Sequence, residues 1–318
     1  MRLAEIKPET YARAVLPLTA PLWAGRRSFE EYAAQTLEMA RSPYGRRHYR
    51  TMGLYDNGTI VASYKRYERM LHHRERRIRG IGFGAVFTPI EYRGRGYASI
   101  MLAAALDQAR KNGSEIAFLF SDIRPQFYSA LGFTALPSRQ FSLRADTLPS
   151  MRLDLAYVTD DAWMAVRRVF ERWENRRDAG FLRDAAVWNW IAMRARHGSE
   201  YRSGRATNLL LRRRGRIAAY VLGVRAPEAD AYGIDEFAFA DETAGAMIPA
   251  LLRAAAGDLR RVWGWRPPDG AGRLLPKPSV RARKSAVLMM APLAAAGTAL
   301  LQHVAESGRD FCWATDHI

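Results

Sequence analysis

Cysteine is almost absent: Cys312 stands alone in 318 residues. No disulfide can form within the chain, which separates it from secreted disulfide scaffolds and fits a reducing compartment. A cytoplasmic location is the expectation. Lysine is nearly as scarce, for only five of the 49 basic residues are lysines. The arginines are spread along the whole sequence, and only His72–Arg79 is dense. A net charge of +17 therefore reads as compositional bias rather than a nucleic-acid patch, although a basic surface still helps to attract polyanions. A leader-like apolar start is lacking too, since Glu5, Lys7 and Glu9 interrupt it. The single long uncharged run, Ser285–Leu301, contains Pro292 and Gly297 and falls short of the roughly 20 apolar residues a bilayer requires. It reads as a buried strand followed by a helix, so no membrane role is expected.

A hydrophobic share of 48% gives ample core, and the length points to two domains. Thr51–Tyr55 alternates and runs into Asp56-Asn57-Gly58-Thr59, a hairpin turn signal. Ile60–Leu71 and Ile78–Phe87 read as strands around a turn at His72–Arg77. Gly94 and Gly96 lead into a helix over Tyr97–Lys111, with Leu102, Leu106 and Ala109 at helical spacing. Asn112-Gly113 stops it. Ile116–Phe120 is a short apolar strand, and Pro125–Leu131 a short helix.

The order then repeats. Asn208–Arg213 and Arg216–Arg225 flank a turn at Gly215, Ile234–Ala240 follows as a strand, Glu242–Ala256 as a helix stopped by Gly257, and Leu259–Trp265 as a strand. Asp160–Arg177 and Ala179–Arg196 read as helices between the copies. Their Trp163, Trp173, Trp188 and Trp190 are assigned to packing. The fold class is α/β, with two tandem domains, each a mixed central sheet flanked by helices. The boundaries expected are residues 1–148 for a catalytic domain, 149–292 for a degenerate copy, and 293–318 for a tail.

The chemistry concentrates in Gly84–Ala98. A strand ends and a helix begins across Arg93-Gly94-Arg95-Gly96-Tyr97-Ala98. Glycines allow close backbone approach, successive N–H groups form a nest, and a helix N-terminus adds its positive dipole end. With Arg93 and Arg95 this makes a cradle for a pyrophosphate. A parallel strand and a short helix bearing Phe127-Tyr128 and Leu131-Gly132-Phe133 follow. In this context Ile78–Phe133 resembles the GCN5-related N-acetyltransferase (GNAT) superfamily.

The two-domain order is similar to the "enhanced intracellular survival" type of tandem acetyltransferase, and the wording Val86-Phe-Thr-Pro…Tyr92-Arg-Gly-Arg-Gly-Tyr97 is also similar to fungal lysine N6-acetyltransferases. After the second copy only about fifty residues remain, fewer than that tandem family's sterol-carrier-like third domain needs.

The resemblance implies acetyl-CoA as cosubstrate, bound by Arg93, Gly94, Arg95, Gly96, Tyr97 and Ala98 and by the main chain of Ala85, Val86 and Phe87. It implies Tyr128 beside the sulfur as general acid and a chain-terminal carboxylate, here on Ile318, at the site. Asp122 and ordered water are the other candidates for a base. Asp241-Glu242-Thr243 stands where the second copy would need its cradle, and two carboxylates there repel pyrophosphate. One active site per chain is expected. No metal is expected: His72-His73 would point to opposite faces of a strand, and His197 and His303 are isolated. The partner expected is an amine-bearing acceptor, a homo-oligomer is compatible, and nucleic acid is disfavoured. Two other functions stay open, a non-catalytic acetyl-CoA sensor or scaffold and a nucleic-acid-associated modifier.

Overall fold

The computed structural model describes residues 1–123, 125–196 and 204–318. Ahead of Thr51 the chain forms elements that residue alternation does not announce: strand β1 (Arg2–Ile6) and helices α1 (Pro8–Ala14), α2 (Leu16–Trp23), α3 (Phe29–Arg41) and α4 (Pro43–His48). Ser28 starts α3 with a reciprocal cap. Its hydroxyl accepts from the Glu31 N–H and the Glu31 carboxylate accepts from its own N–H, satisfying two otherwise orphaned donors.

The meander follows as β2 (Tyr49–Asp56), β3 (Thr59–His73) and β4 (Arg76–Phe87). Asn57 and Gly58 both take positive φ, 48° and 82°, the backbone a tight hairpin needs. The second turn is shorter than the expected His72–Arg77. His72 and His73 remain in β3, paired with Arg77 and Arg76, because the buried His72 is drawn onto Glu174, Nε2 to Oε1 at 2.8 Å. Helix α5 (Tyr97–Lys111), β5 (Ile116–Ser121), α6 (Gln126–Ser129) and β6 (Thr134–Ala135) complete the first motif. The apolar stripe of α5, including Met101, Leu102, Ala105, Leu106 and Ala109, is buried on the sheet.

Next come β7 (Arg139–Arg144), β8 (Asp154–Tyr157), α7 (Trp163–Glu174), β9 (Ala179–Phe181) and α8 (Ala185–Arg196). The expected helix from Ala179 starts only at Ala185, since Ala179–Phe181 instead pairs with the far end of β3. The second motif is β10 (Arg205–Ala206), β11 (Leu209–Arg213), β12 (Arg216–Ala226), β13 (Ala231–Phe239), α9 (Glu242–Ala246), α10 (Ile248–Ala256) and β14 (Arg261–Trp265). The helix expected over Glu242–Ala256 is thus two. Pro249 lacks a donor and starts a new first turn. The chain closes with β15 (Ser279–Ala282), β16 (Val287–Pro292) and α11 (Ala295–Ser307). The uncharged run is therefore a strand and a helix, and no helix among the described residues is long and apolar enough to cross a membrane.

Two eight-stranded sheets result. The first has the order β1-β2-β3-β4-β5-β16-β6, with β9 on β3; the second has β15-β7-β14-β13-β12-β11-β8, with β10 on β12. The boundaries at 148/149 and 292/293 do not separate these sheets. Strand β7 leaves the first half to pair with β14, and β16 returns from the second half to lie between β5 and β6. The physical reason is the outer edge of β5. Val287–Pro292 covers it in unbroken antiparallel register, from Val287 opposite Ser121 to Pro292 opposite Ile116, and buries Leu288, Met289 and Met290. An uncovered edge would leave unpaired main-chain groups.

The last residues run between the sheets. Trp313 is buried against Trp173 and Phe237, and Phe311 against Phe181. Asp316 accepts from Arg69 Nη2 of β3 at 3.2 Å and from Arg183 Nε at 3.1 Å. Arg183 also reaches Glu236 of β13 at 2.6 Å, and Glu236 accepts from the Tyr220 and Thr315 hydroxyls. Burial opposes the Arg183 charge, but Asp316 and Glu236 hold its pKa above the ordinary range. Removing one carboxylate from such a buried set typically costs ~3–5 kcal/mol.

Candidate active site

The site begins with an irregularity in β4. Gly84 pairs with Lys65 and Phe87 with Ser63, so Ala85 and Val86 together face Tyr64 alone. This is a β-bulge, which bends its strand. Ala85 carries it at φ 47°, a left-handed conformation that only a few per cent of non-glycine residues adopt. The parallel pairing of β4 with β5 runs from Gly80–Ile116 to Phe83–Leu119 and goes no further. Past that point the strands separate and the wedge opens into a cavity of about 1020 Å³ bordered by Gly84–Thr88.

Beside the wedge lies the loop before α5. Gly94 and Gly96 have φ 78° and 77°, and a Cβ on either would meet nothing within 4 Å. Their requirement is conformational, and the space beside them is open. Gly96 caps α5 without a side chain, leaving the first-turn N–H groups unclaimed by any cap. Arg93 is exposed and its Nε donates to the Thr88 carbonyl at 3.0 Å, while the Arg95 guanidinium lies 5.9 Å from the Tyr92 ring centre. The Tyr97 hydroxyl donates to Asp56 Oδ2 at 3.2 Å, tying the helix start to the first hairpin; what Tyr97 and Ala98 offer the loop is main chain.

Tyr128 comes from α6 and borders the same cavity. Its ring packs edge-on against Phe127 and Phe133. Burial, with the Asp122 charge adding, pushes its phenol up to about 12.

Ile318 arrives on the opposite face of β4. A Cβ on Gly82 would stand 2.3 Å from Ile318 Cδ1, and one on Gly84 would stand 3.4 Å from the Ile318 carbonyl carbon and oxygen. The last residue thus lies flat on a glycine strip next to the bulge. Alternation of Gly80, Gly82 and Gly84 is a signal in the sequence for such an approach, and sequence reasoning missed it. His317 sits between the Phe120 and Trp265 rings, 4.9 and 5.7 Å between centres. Burial, then Arg194 and Arg283, pull its pKa down to about 3.

The structure brings Ala85, Val86, Phe87, Arg93, Tyr128 and Ile318 to one cavity. Asp122 borders it too, but its Oδ1 accepts from the Ala286 N–H at 2.8 Å and anchors the entry to β16. The cavity's far wall comes from the second half, including Trp190, Asp235, Trp263, Trp265 and Arg283. Of the four tryptophans assigned to packing, Trp190 alone borders the cavity. In the second half Asp241 caps α9 through the Ala244 N–H at 2.8 Å, so the turn corresponding to the cradle is closed by a carboxylate. His73 stacks on His303 while His72 points to Glu174, and among the described residues no three His, Cys, Asp or Glu side chains gather to hold a metal. His197 lies outside the described residues.

Comparison with known proteins agrees with this geometry. Residues 22–136 match the family described as acetyltransferase (GNAT) domain. The match spans 115 residues, all within the first half of the chain. Among solved structures, a probable N-acyltransferase of unknown function from Enterococcus faecalis V583 is 15% identical over 92% of this chain and 72% of its own, with a TM-score of 0.73. Eis1 from Mycobacterium abscessus is 13% identical over 92% and 74%, with a TM-score of 0.61. A tandem GNAT protein from the clavulanic acid biosynthesis pathway is 13% identical over 92% and 98%, with a TM-score of 0.55. At such identities these three show a shared fold, which extends over 92% of this chain. No curated protein matches.

Proposed function

We propose that the protein is an acetyl-CoA-dependent N-acetyltransferase with one active site per chain, acting on a primary amine. The observation that carries this reading is the bulge at Ala85–Val86, set at the mouth of the β4–β5 wedge with Tyr128 on one side and Ile318 on the other.

Main-chain N–H groups of Gly94–Ala98, the α5 dipole and the exposed Arg93 and Arg95 suit the pyrophosphate of the cosubstrate. The bulged main chain of Ala85, Val86 and Phe87, released from β5, can donate to the thioester oxygen as the carbonyl becomes tetrahedral. The amine nitrogen attacks that carbon, the C–S bond breaks, and the sulfur leaves as a thiolate. We assign Tyr128 the role of donor to this sulfur, a role its position on the cavity wall supports. With its phenol near 12 and an ordinary thiol near 8.5, complete proton transfer is uphill, so a hydrogen bond that strengthens as the thiolate forms is the better description. The proton lost by the amine needs an acceptor, a role we assign to the α-carboxylate carried here by Ile318, directly or through water. A carboxylate of ordinary pKa about 3.5 also attracts a cationic amine.

Among the described residues the second half lends walls to the cavity, and Asp241 caps the turn where a second cradle would stand. The test is release of free thiol from acetyl-CoA in the presence of pooled amines, amino acids and aminoglycosides. Amine-dependent release is expected, with one molecule of acetyl-CoA bound per chain. Binding without turnover on any amine would instead favour a sensor or scaffold.

A further inference from the structure

Arg283 has no distinction in the sequence among so many arginines, yet its place is unusual. Its guanidinium carbon lies 3.5 Å from the centre of the Trp265 ring, so one face of the ion is covered. The residue is only 9% exposed and borders the acceptor side of the cavity. Its Nε and Nη1 are enclosed and meet no hydrogen-bond acceptor among the described residues. The nearby carboxylates are committed elsewhere: Asp310 holds the Arg139 Nε and N–H, and Asp122 holds the Ala286 N–H. Burial lowers the Arg283 pKa to about 10, with Asp310 and Asp122 opposing, so it is charged at neutral pH.

A buried, charged and unpaired guanidinium is costly, and proteins rarely keep one without a counterion. The arginine is also held still. Its own N–H donates to the Ser138 carbonyl at 2.8 Å, and three residues on Ala286 is fixed to Asp122. Residues 283–286 therefore present the side chain on a rigid base at the end of β5. Its stacking partner Trp265 packs with Phe120 and Ile318 on the glycine face of β4, His317 lies between Phe120 and Trp265, and α5 is across the sheet. Stacking on Trp265 occupies a guanidinium face and leaves the in-plane N–H fork, which matches a planar carboxylate better than a single point charge does.

We propose that Arg283 receives a carboxylate of the acceptor, which makes the acceptor an amino-acid-type compound carrying an amine and a carboxylate together. The proposal rests on the N-acetyltransferase reading for its amine. The amine then lies toward Ala85 and Ile318, and the carboxylate toward Trp265.

Three pairs of probes differ only in the carboxylate: L-phenylalanine and phenethylamine, L-lysine and cadaverine, γ-aminobutyrate and propylamine. Calorimetry measures their binding to the full chain, and thiol release from acetyl-CoA measures turnover. In the wild type the carboxylate member of at least one pair is expected to bind about 10-fold more tightly or better. Arg283→Gln is expected to abolish that preference and Arg283→Lys to retain part of it. The melting temperature of Arg283→Gln is expected to stay or rise, because an unpaired buried charge is removed. A wild type with no preference in any pair, or a preference that survives in Arg283→Gln, overturns the proposal. So does an Arg283→Gln protein whose only change is a lower melting temperature. A carboxylate preference in binding without thiol release supports the role of Arg283 while removing the acetyl-transfer reading.

Discussion

Two side chains at the cavity are set by burial more than by their neighbours. For Tyr128, burial keeps the phenol protonated throughout the neutral range. Tyr128→Phe removes the donor and keeps the ring packing against Phe127 and Phe133. Turnover is expected to fall by about 10²-fold with acetyl-CoA affinity unchanged, and a variant at the wild-type rate would reduce Tyr128 to packing. His317 is the other. Its folded pKa of about 3 lies below the ordinary value near 6.5, so the unfolded chain binds the extra proton between those values. The stabilisation is fully present above pH 6.5 and is lost as pH falls toward 3, with a limiting slope of about 1.4 kcal/mol per pH unit. Urea unfolding from pH 7 to 4 should show this slope in the wild type and a shallower one in His317→Gln. Equal slopes would place the acid sensitivity elsewhere.

At the scale of elements, the loop before α5 separates binding from folding. Gly96 needs its positive φ and has open space around it. Aspartate tolerates that backbone better than most residues and is a good N-cap, so Gly96→Asp should fold. It also sets a carboxylate where a pyrophosphate is proposed to sit. The dissociation constant for acetyl-CoA, measured by calorimetry, should rise by about 10-fold or more with little change in melting temperature. Unchanged affinity would remove the loop from the cradle. The wedge depends on another local device, the bulge, for without Ala85 and Val86 sharing a partner β4 would continue alongside β5 and close it.

For the whole molecule the decisive feature is exchange. Strand β7 of the first half joins the second sheet, β9 and β16 of the second half join the first, and the last residues pass between the sheets to Gly84. The Arg69–Asp316–Arg183–Glu236 set binds that passage to both. A chain extended beyond Ile318 would carry a peptide in place of the carboxylate and would crowd the glycine strip. Its kcat should fall or its acceptor KM rise while acetyl-CoA binding persists, and an extension at Met1 should have neither effect. Equal activity in the two extended proteins and the unextended chain would move the search for a base to water held near Asp122.

Much of this was legible in the residues. The Asp56–Thr59 turn, α5, its Gly94–Gly96 entry and its Asn112-Gly113 exit are local, and their signals are backbone preferences that act over a few residues. The closed cap at Asp241 is equally local. The partners of β7 and β16 are not, because an apolar strand carries no mark of which edge it will cover. The same holds for Arg283 and His317. Their chemistry comes from Trp265, Phe120 and desolvation, all contributed by segments distant in sequence. The sequence by itself determined the repeated α/β pattern and the Gly94–Gly96 loop that opens α5. Only the tertiary structure decided which strands were exchanged, which second-half residues line the cavity, and that Ile318 lies against Gly84, since burial and long-range pairing exist only once the two halves have packed.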